Sequence, residues 1–368
     1  MTQQIIVVGA GVVGAAIAWQ AADSGAHVTL VDPHPRSGAS WVAGGMLAPV
    51  TEAWPGEEEL LELGSAGLAR WPAFAARLRA TGADPGLRTD GTLVVAVDGA
   101  DRTELENLAK YLGELGREVD VLTGRQLRAL EPSLAPGLRT GLSVPGDLAV
   151  DNRRLTDALL AAADRAGVDF RAVAASSVRA GAVELADGTT VHGDLVVLAA
   201  GAHSGRLHPA LHGVIRPVKG EILRLRSGTG ALPPPARTVR GLVEGRHAYL
   251  VPRDDGGLVL GATQYEAGFD TEPKVGGVRD LLADAERLVP GIAEYALLEC
   301  SAGLRPGTPD NLPVIGWLAP GVLAATGHGR NGMLLLPITV EAVTALLAGK
   351  PVADEVMAAD PARLEVFG

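Results

Sequence analysis

A single cysteine, Cys300, is the only thiol in this 368-residue chain. That excludes an internal disulfide and a thiolate-held metal cluster, and it points to a reducing, cytoplasmic setting. Basic runs are missing too. Lys and Arg never cluster and the formal net charge is −11, so the cationic face that nucleic acid requires is absent. The eight histidines show no metal-ligand spacing, since His208 and His212 are four apart but separated by Pro209, and no metal site is expected. The apolar stretch Met333–Gly349 is broken by Pro337 and Glu341, well short of the roughly 20 residues of a membrane span. No basic residue precedes the apolar run Ile5–Trp19, so that run is not read as a leader.

What is present fits a well-buried globule of two domains, with 47% hydrophobic and 20% charged residues. Ile5-Ile6-Val7-Val8 is β-branched and ends in glycine, which predicts a buried parallel strand. A helix is predicted over Val12–Ser24 with Gly25 as its stop, followed by the strand Val28–Val31 and Asp32. Together these make a βαβ unit. Further helices are predicted at 57–80, 102–115 and 153–166, and further buried strands at Leu195–Ala200 and Val322–Thr326. Between Ile215 and Thr263 the pattern changes to short strands such as Glu221–Leu225 and Tyr249–Val251, broken by Pro233-Pro234-Pro235 and Asp255-Gly256-Gly257, which predicts an antiparallel sheet.

Gly9-Ala10-Gly11-Val12-Val13-Gly14 places a GxGxxG between strand and helix. Gly9 allows the tight turn, Gly11 lets the backbone approach a pyrophosphate, and Gly14 lets helix and sheet pack closely. The helix N-terminus, with Val12 and Val13, supplies donors and positive potential for phosphate. Asp32, followed by Pro33, ends the second strand where a carboxylate can accept from both ribose hydroxyls. The fingerprint alone does not separate NAD from FAD. Two more glycine-rich strand ends, Ala199-Ala200-Gly201 and Thr326–Gly332, favour the bulkier cofactor. A helix opening within Thr326–Gly332 would place its N-terminus against the reduced flavin.

Five further segments, in order, carry a resemblance: Ala39–Pro49, with Ala39, Ser40, Gly44, Gly45 and Met46; Arg216–Glu221; Tyr249–Arg253; Gly303–Asn311; and Gly327–Gly332. On these the chain resembles the glycine oxidases of thiamine biosynthesis, within the D-amino-acid oxidase and sarcosine oxidase group. The resemblance implies noncovalent FAD, a tetrameric homo-oligomer, and oxidation of glycine by O2 to glyoxylate, ammonia and hydrogen peroxide through an imine. The implied fold is α/β with antiparallel β: a discontinuous Rossmann-like FAD-binding domain (1–85, 146–212 and 300–368) and an inserted β-sheet substrate domain (86–145 and 213–299).

By the same resemblance Arg305 grips the substrate carboxylate, Arg330 is a second arginine over that site, and Tyr249 lines the pocket. Gly44, Gly45 and Met46 lie against the isoalloxazine. His328, Gly329, Asn331, Gly332, Met333 and Leu334 form the loop at its pyrimidine end, and Ala175 meets the adenine side. A planar guanidinium suits a carboxylate because it donates two parallel hydrogen bonds. Other readings stay open from the residues alone: Arg305 paired with Asp310 or Glu299, Arg330 as a loop residue, Tyr249 as a core aromatic, and His328 as a loop tie. Two departures stand out. Gly329 replaces an aromatic common in the family and Gln264 replaces an apolar residue, so room for a substituent on the substrate nitrogen is expected. The competing functions are a dehydrogenase of the same fold with a non-oxygen acceptor, and a non-catalytic FAD-binding scaffold.

Overall fold

The computed structural model describes residues 2–367; Met1 and Gly368, the outer limits of the expected domains, lie outside the described residues. A six-stranded sheet runs in the order Val314–Ala319, Val322–Thr326, Leu195–Leu198, Gln4–Val8, His27–Val31, Asp169–Arg171. All its neighbours pair in parallel except the first two strands. Alternation explains why Ile5-Ile6-Val7-Val8 is apolar throughout. Ile5 and Val7 pack under the helices Val12–Asp23, Glu58–Ala80, Asn152–Arg165 and Leu336–Leu347, while Ile6 and Val8 face the small sheet formed by residues 175–192.

The second sheet has eight strands, from Ala296–Gly307 at one edge through Arg216–Arg226, Gly257–Gly261, Arg246–Pro252, Thr238–Val243, Thr92–Ala96 and Thr140–Val144 to Asp120–Thr123. It is antiparallel as expected except where Thr238–Val243 meets Thr92–Ala96 in parallel. One face packs against the helix Val275–Leu288 through Leu223, Leu250, Leu258 and Leu260. The other face presents Ile222, Tyr249, Val251 and Val259 toward Val42 and Met46 of the nucleotide-binding half. The site lies at that junction.

Three expectations change. The domain border placed at 299/300 cuts through a single strand, because Ala296–Gly307 pairs with Arg216–Arg226 as far as Gly307. Leu87–Arg88, assigned to the substrate domain, belongs instead to a small sheet with Leu148–Val150 and Met46–Leu47. The helix Val275–Leu288 was not foreseen. It opens on Val275-Gly276-Gly277, a poor helical start by intrinsic propensity, and is held by packing of its Leu281–Ala285–Leu288 face.

Candidate active site

A cavity of about 1880 Å³ runs between the two sheets, larger than a single small ligand requires. Its first wall is the glycine turn. Gly9 has φ +104° and packs on the Ala199 carbonyl; Gly14 packs on Gly9 itself, so close that a Cβ would overlap, and does not line the cavity. The amides of Gly11 and Val13 have no protein acceptor among the described residues, and so remain available for phosphate. Val12 N donates to the Ser40 hydroxyl at 3.1 Å. Asp32 is fixed by Ala10 N (2.7 Å) and His34 N (2.8 Å), each on a different oxygen, which leaves lone pairs on both for ribose hydroxyls. Pro33, Ala39, Ala175, Ala200 and Gly201 line the same end.

The wall continues through the short helix Ala39–Val42 to Gly44, Gly45 and Met46. Its carbonyls are tied back from behind. Buried Asn152 donates to Ser40 O and Trp41 O (2.9 and 2.8 Å), while its own Oδ1 accepts from Arg224 and Arg253. Arg253 also donates to Gly44 O at 2.8 Å. Gly44 has to be glycine because a Cβ there would run into the Tyr249 ring, and Gly45 turns at φ +84°.

At the far end, Thr326–Gly332 does not open an α-helix as expected. Gly327 and Gly329 take φ +75° and +53°, Gly329–Asn331 forms one 3-10 turn, and the helix begins only at Leu336. The positive φ values and Pro337 at the helix start explain the delay. His328, Gly329, Arg330, Gly332 and Met333 line the cavity; Asn331 and Leu334 do not, and the Leu334 carbonyl instead accepts from the Trp71 indole at 3.1 Å. Burial lowers His328 to about 4, so it is neutral, with Nε2 3.0 Å from the Thr339 hydroxyl. It ties the loop to the last helix.

Arg305 opposes Val218 in the strand register, and its guanidinium lies over Gly220, where a Cβ would overlap it. Nη1 donates to Thr263 O at 3.2 Å and sits 3.5 Å from Lys219 O. Both alternative carboxylate partners are engaged elsewhere, Asp310 with Arg363 and Glu299 with Arg153. Of the arginines lining the cavity, only Arg305 and Arg206 lack a carboxylate partner among the described residues; Arg206 lies over the Phe269 ring. Tyr249 sits beside Arg305, and burial pushes its phenol upward, so it is a hydrogen-bond donor at neutral pH. Exposed Gln264 lines the same end.

Arg330 lines the cavity, but its Nη2 is bound to the Glu57 carboxylate and to Glu52 O (3.2 Å), so its charge is already matched within the protein. A second part-buried pair, Arg240–Glu52 at 2.6 Å, also lines the cavity and was missed. Val243-Glu244-Gly245-Arg246 signals the turn that places Arg240, though not its partner. Glu244 and Gly245 both adopt positive φ, a two-residue hairpin turn that sets Arg240 directly opposite Tyr249.

Beneath Glu52, buried Asp147 accepts from the Thr51 hydroxyl at 2.8 Å, and burial raises it to about 7. Its folded pKa lies above the unfolded one, so its contribution to stability is full below about pH 4 and is lost as pH rises toward 7. Asp147→Asn removes that loss. Melting scans should show the variant gaining on wild type between pH 5 and pH 8; a constant difference would refute the assignment.

The family pattern described as FAD dependent oxidoreductase matches residues 4–346. The chain belongs to this family of FAD-dependent oxidoreductases. Glycine oxidase from Pseudomonas aeruginosa is 32% identical, over 99% of this chain and 100% of its own length. The crystal structure of glycine oxidase from Geobacillus kaustophilus superposes with a TM-score of 0.87 at 32% identity, covering 98% of each chain. A bifunctional ThiO/ThiG protein from Nostoc sp. is 32% identical over 94% of this chain, which spans about half (53%) of that relative's length.

The residues fit FAD. Free amides at Gly11 and Val13, the doubly anchored Asp32, and the glycines at 9, 44 and 45 leave an open channel from the phosphate turn to Arg305. Cys300 does not line the cavity. Among the described residues, no helix is long and apolar enough to cross a membrane and no metal-ligand cluster occurs.

Proposed function

We propose that this oxidoreductase oxidises glycine and N-substituted glycines at Cα, with O2 as acceptor. The reading is carried by Arg305, a half-buried guanidinium on the cavity wall with no carboxylate of its own among the described residues. A substrate carboxylate completes it with two parallel hydrogen bonds, which fix orientation as well as affinity. Tyr249 donates from the side. Bound FAD supplies the two-electron acceptor for the Cα hydride. The substrate amine supplies the lone pair that forms the C=N bond as the hydride leaves, so no protein base is needed; His328, made a weak base by burial and bonded to Thr339, is not one. Water then hydrolyses the imine, and glycine, O2 and water give glyoxylate, ammonia and hydrogen peroxide; an N-substituted glycine releases the corresponding amine.

Room for that substituent rests on Gly329, beside which a Cβ would meet nothing, and on exposed Gln264. Anaerobic glycine should bleach the flavin, air should restore the colour with release of peroxide, and N-ethylglycine should react at no less than about one hundredth of the glycine rate. A flavin that glycine leaves oxidised refutes the assignment. Slower N-ethylglycine turnover refutes the roomier pocket alone, and bleaching without peroxide points to the dehydrogenase.

A further inference from the structure

Glu221 is wholly buried yet pairs with no cation among the described residues. Three neutral donors hold its carboxylate: the Thr263 hydroxyl (3.0 Å), the Tyr265 hydroxyl (2.6 Å) and Lys274 N (2.6 Å). Gly277 leaves room for it, since a Cβ there would overlap the carboxylate. Thr263 is locked twice, because its hydroxyl also accepts from Glu221 N at 2.9 Å. The neighbouring Lys219 exchanges backbone hydrogen bonds with Tyr265 (2.9 and 3.2 Å), while its buried ammonium is bound by Asp270 at 2.8 Å. Burying an unpaired carboxylate is costly unless its acceptors are filled, and here every donor comes from the one segment that folds back over Arg305.

That segment's Thr263 carbonyl accepts from Arg305 Nη1. We propose that Thr263 and Glu221 are positioning residues for the substrate carboxylate, acting through the Arg305 guanidinium. The proposal rests on the reading of Arg305 as the carboxylate anchor. Nη1 is committed to the Thr263 and Lys219 carbonyls, and this sets the plane in which the rest of the fork meets the cavity. A fork that rocks loses the second of its two parallel hydrogen bonds before it loses the first.

Thr263→Val removes the lock and keeps the side-chain shape. In FAD-loaded protein, KM for glycine and Kd for acetate, read from the flavin spectrum, should rise together by about tenfold, with kcat and FAD affinity changed less than about twofold. Thr263→Ser should restore both constants, and Glu221→Gln, which turns one acceptor into a donor, should give an intermediate rise. If Thr263→Val does not take up FAD, Glu221→Gln and Thr263→Ser carry the comparison. A merely structural role would lower Tm and FAD content and leave both constants unmoved; that outcome overturns the proposal. Arg305→Lys separates the two claims. If it binds acetate like wild type, the anchor reading fails; if it loses acetate while Thr263→Val does not, only the positioning role fails.

Discussion

Arg305→Met purifies folded and yellow, but glycine no longer bleaches its flavin at a useful rate. The expected loss in kcat/KM is about 10²–10⁴-fold, the equivalent of roughly 3–5 kcal/mol for removing one partner of a desolvated ion pair. The fold survives because Arg305 has no ion pair within the protein among the described residues, and gives up its contacts with the Thr263 and Lys219 carbonyls and with Tyr249. Methionine fills much of the space beside Gly220, so packing changes little. Anaerobic stopped-flow reduction measures the effect. Flavin reduction within tenfold of wild type would move the anchor elsewhere, and Arg330 would be the place to look once freed from Glu57.

Gly9→Val should give colourless protein. The residue turns at φ +104°, where a β-branched side chain is strained by about 1–3 kcal/mol, and its Cβ would overlap the Ala199 carbonyl. Relief requires the Gly9–Gly14 turn to move away from the strand Leu195–Leu198. That movement takes the free amides of Gly11 and Val13 out of register with a pyrophosphate. The ratio of flavin to protein absorbance, before and after reconstitution with excess FAD, is the measurement. A variant that binds one FAD per chain would show that the turn is not the phosphate cradle.

The parts of the fold that were legible in the sequence are those whose determinants are local. The strand Gln4–Val8, the helix Val12–Asp23 and the glycine turn between them follow from a few adjacent residues, and the structure places them within a residue or two of expectation. Arg305 was singled out through a motif, and it lines the cavity. Ion pairing between distant segments was not legible. Nothing near Arg330 announces Glu57, and nothing near Glu52 announces Arg240; each pair joins segments far apart in sequence. These two carboxylates, with Asp157 and Asp284, leave only Arg305 and Arg206 unmatched among the cavity arginines and the described residues, so the electrostatics of the site is set by contacts between distant segments that local patterns do not encode. The helix Val275–Leu288 escaped for a related reason, since its glycine-rich start is tolerated only because the eight-stranded sheet lies beneath it.

Val322–Thr326 sits between Leu195–Leu198 and Val314–Ala319, so the nucleotide-binding sheet is completed on that side by strands that lie far beyond Leu195–Leu198 in sequence. As the chain leaves the ribosome, the strand Leu195–Leu198 must wait for well over a hundred residues with an unpaired edge. An open, apolar edge of that kind invites association with other nascent chains. A chain stopped short of residue 322 is therefore expected to aggregate rather than persist as a smaller flavoprotein.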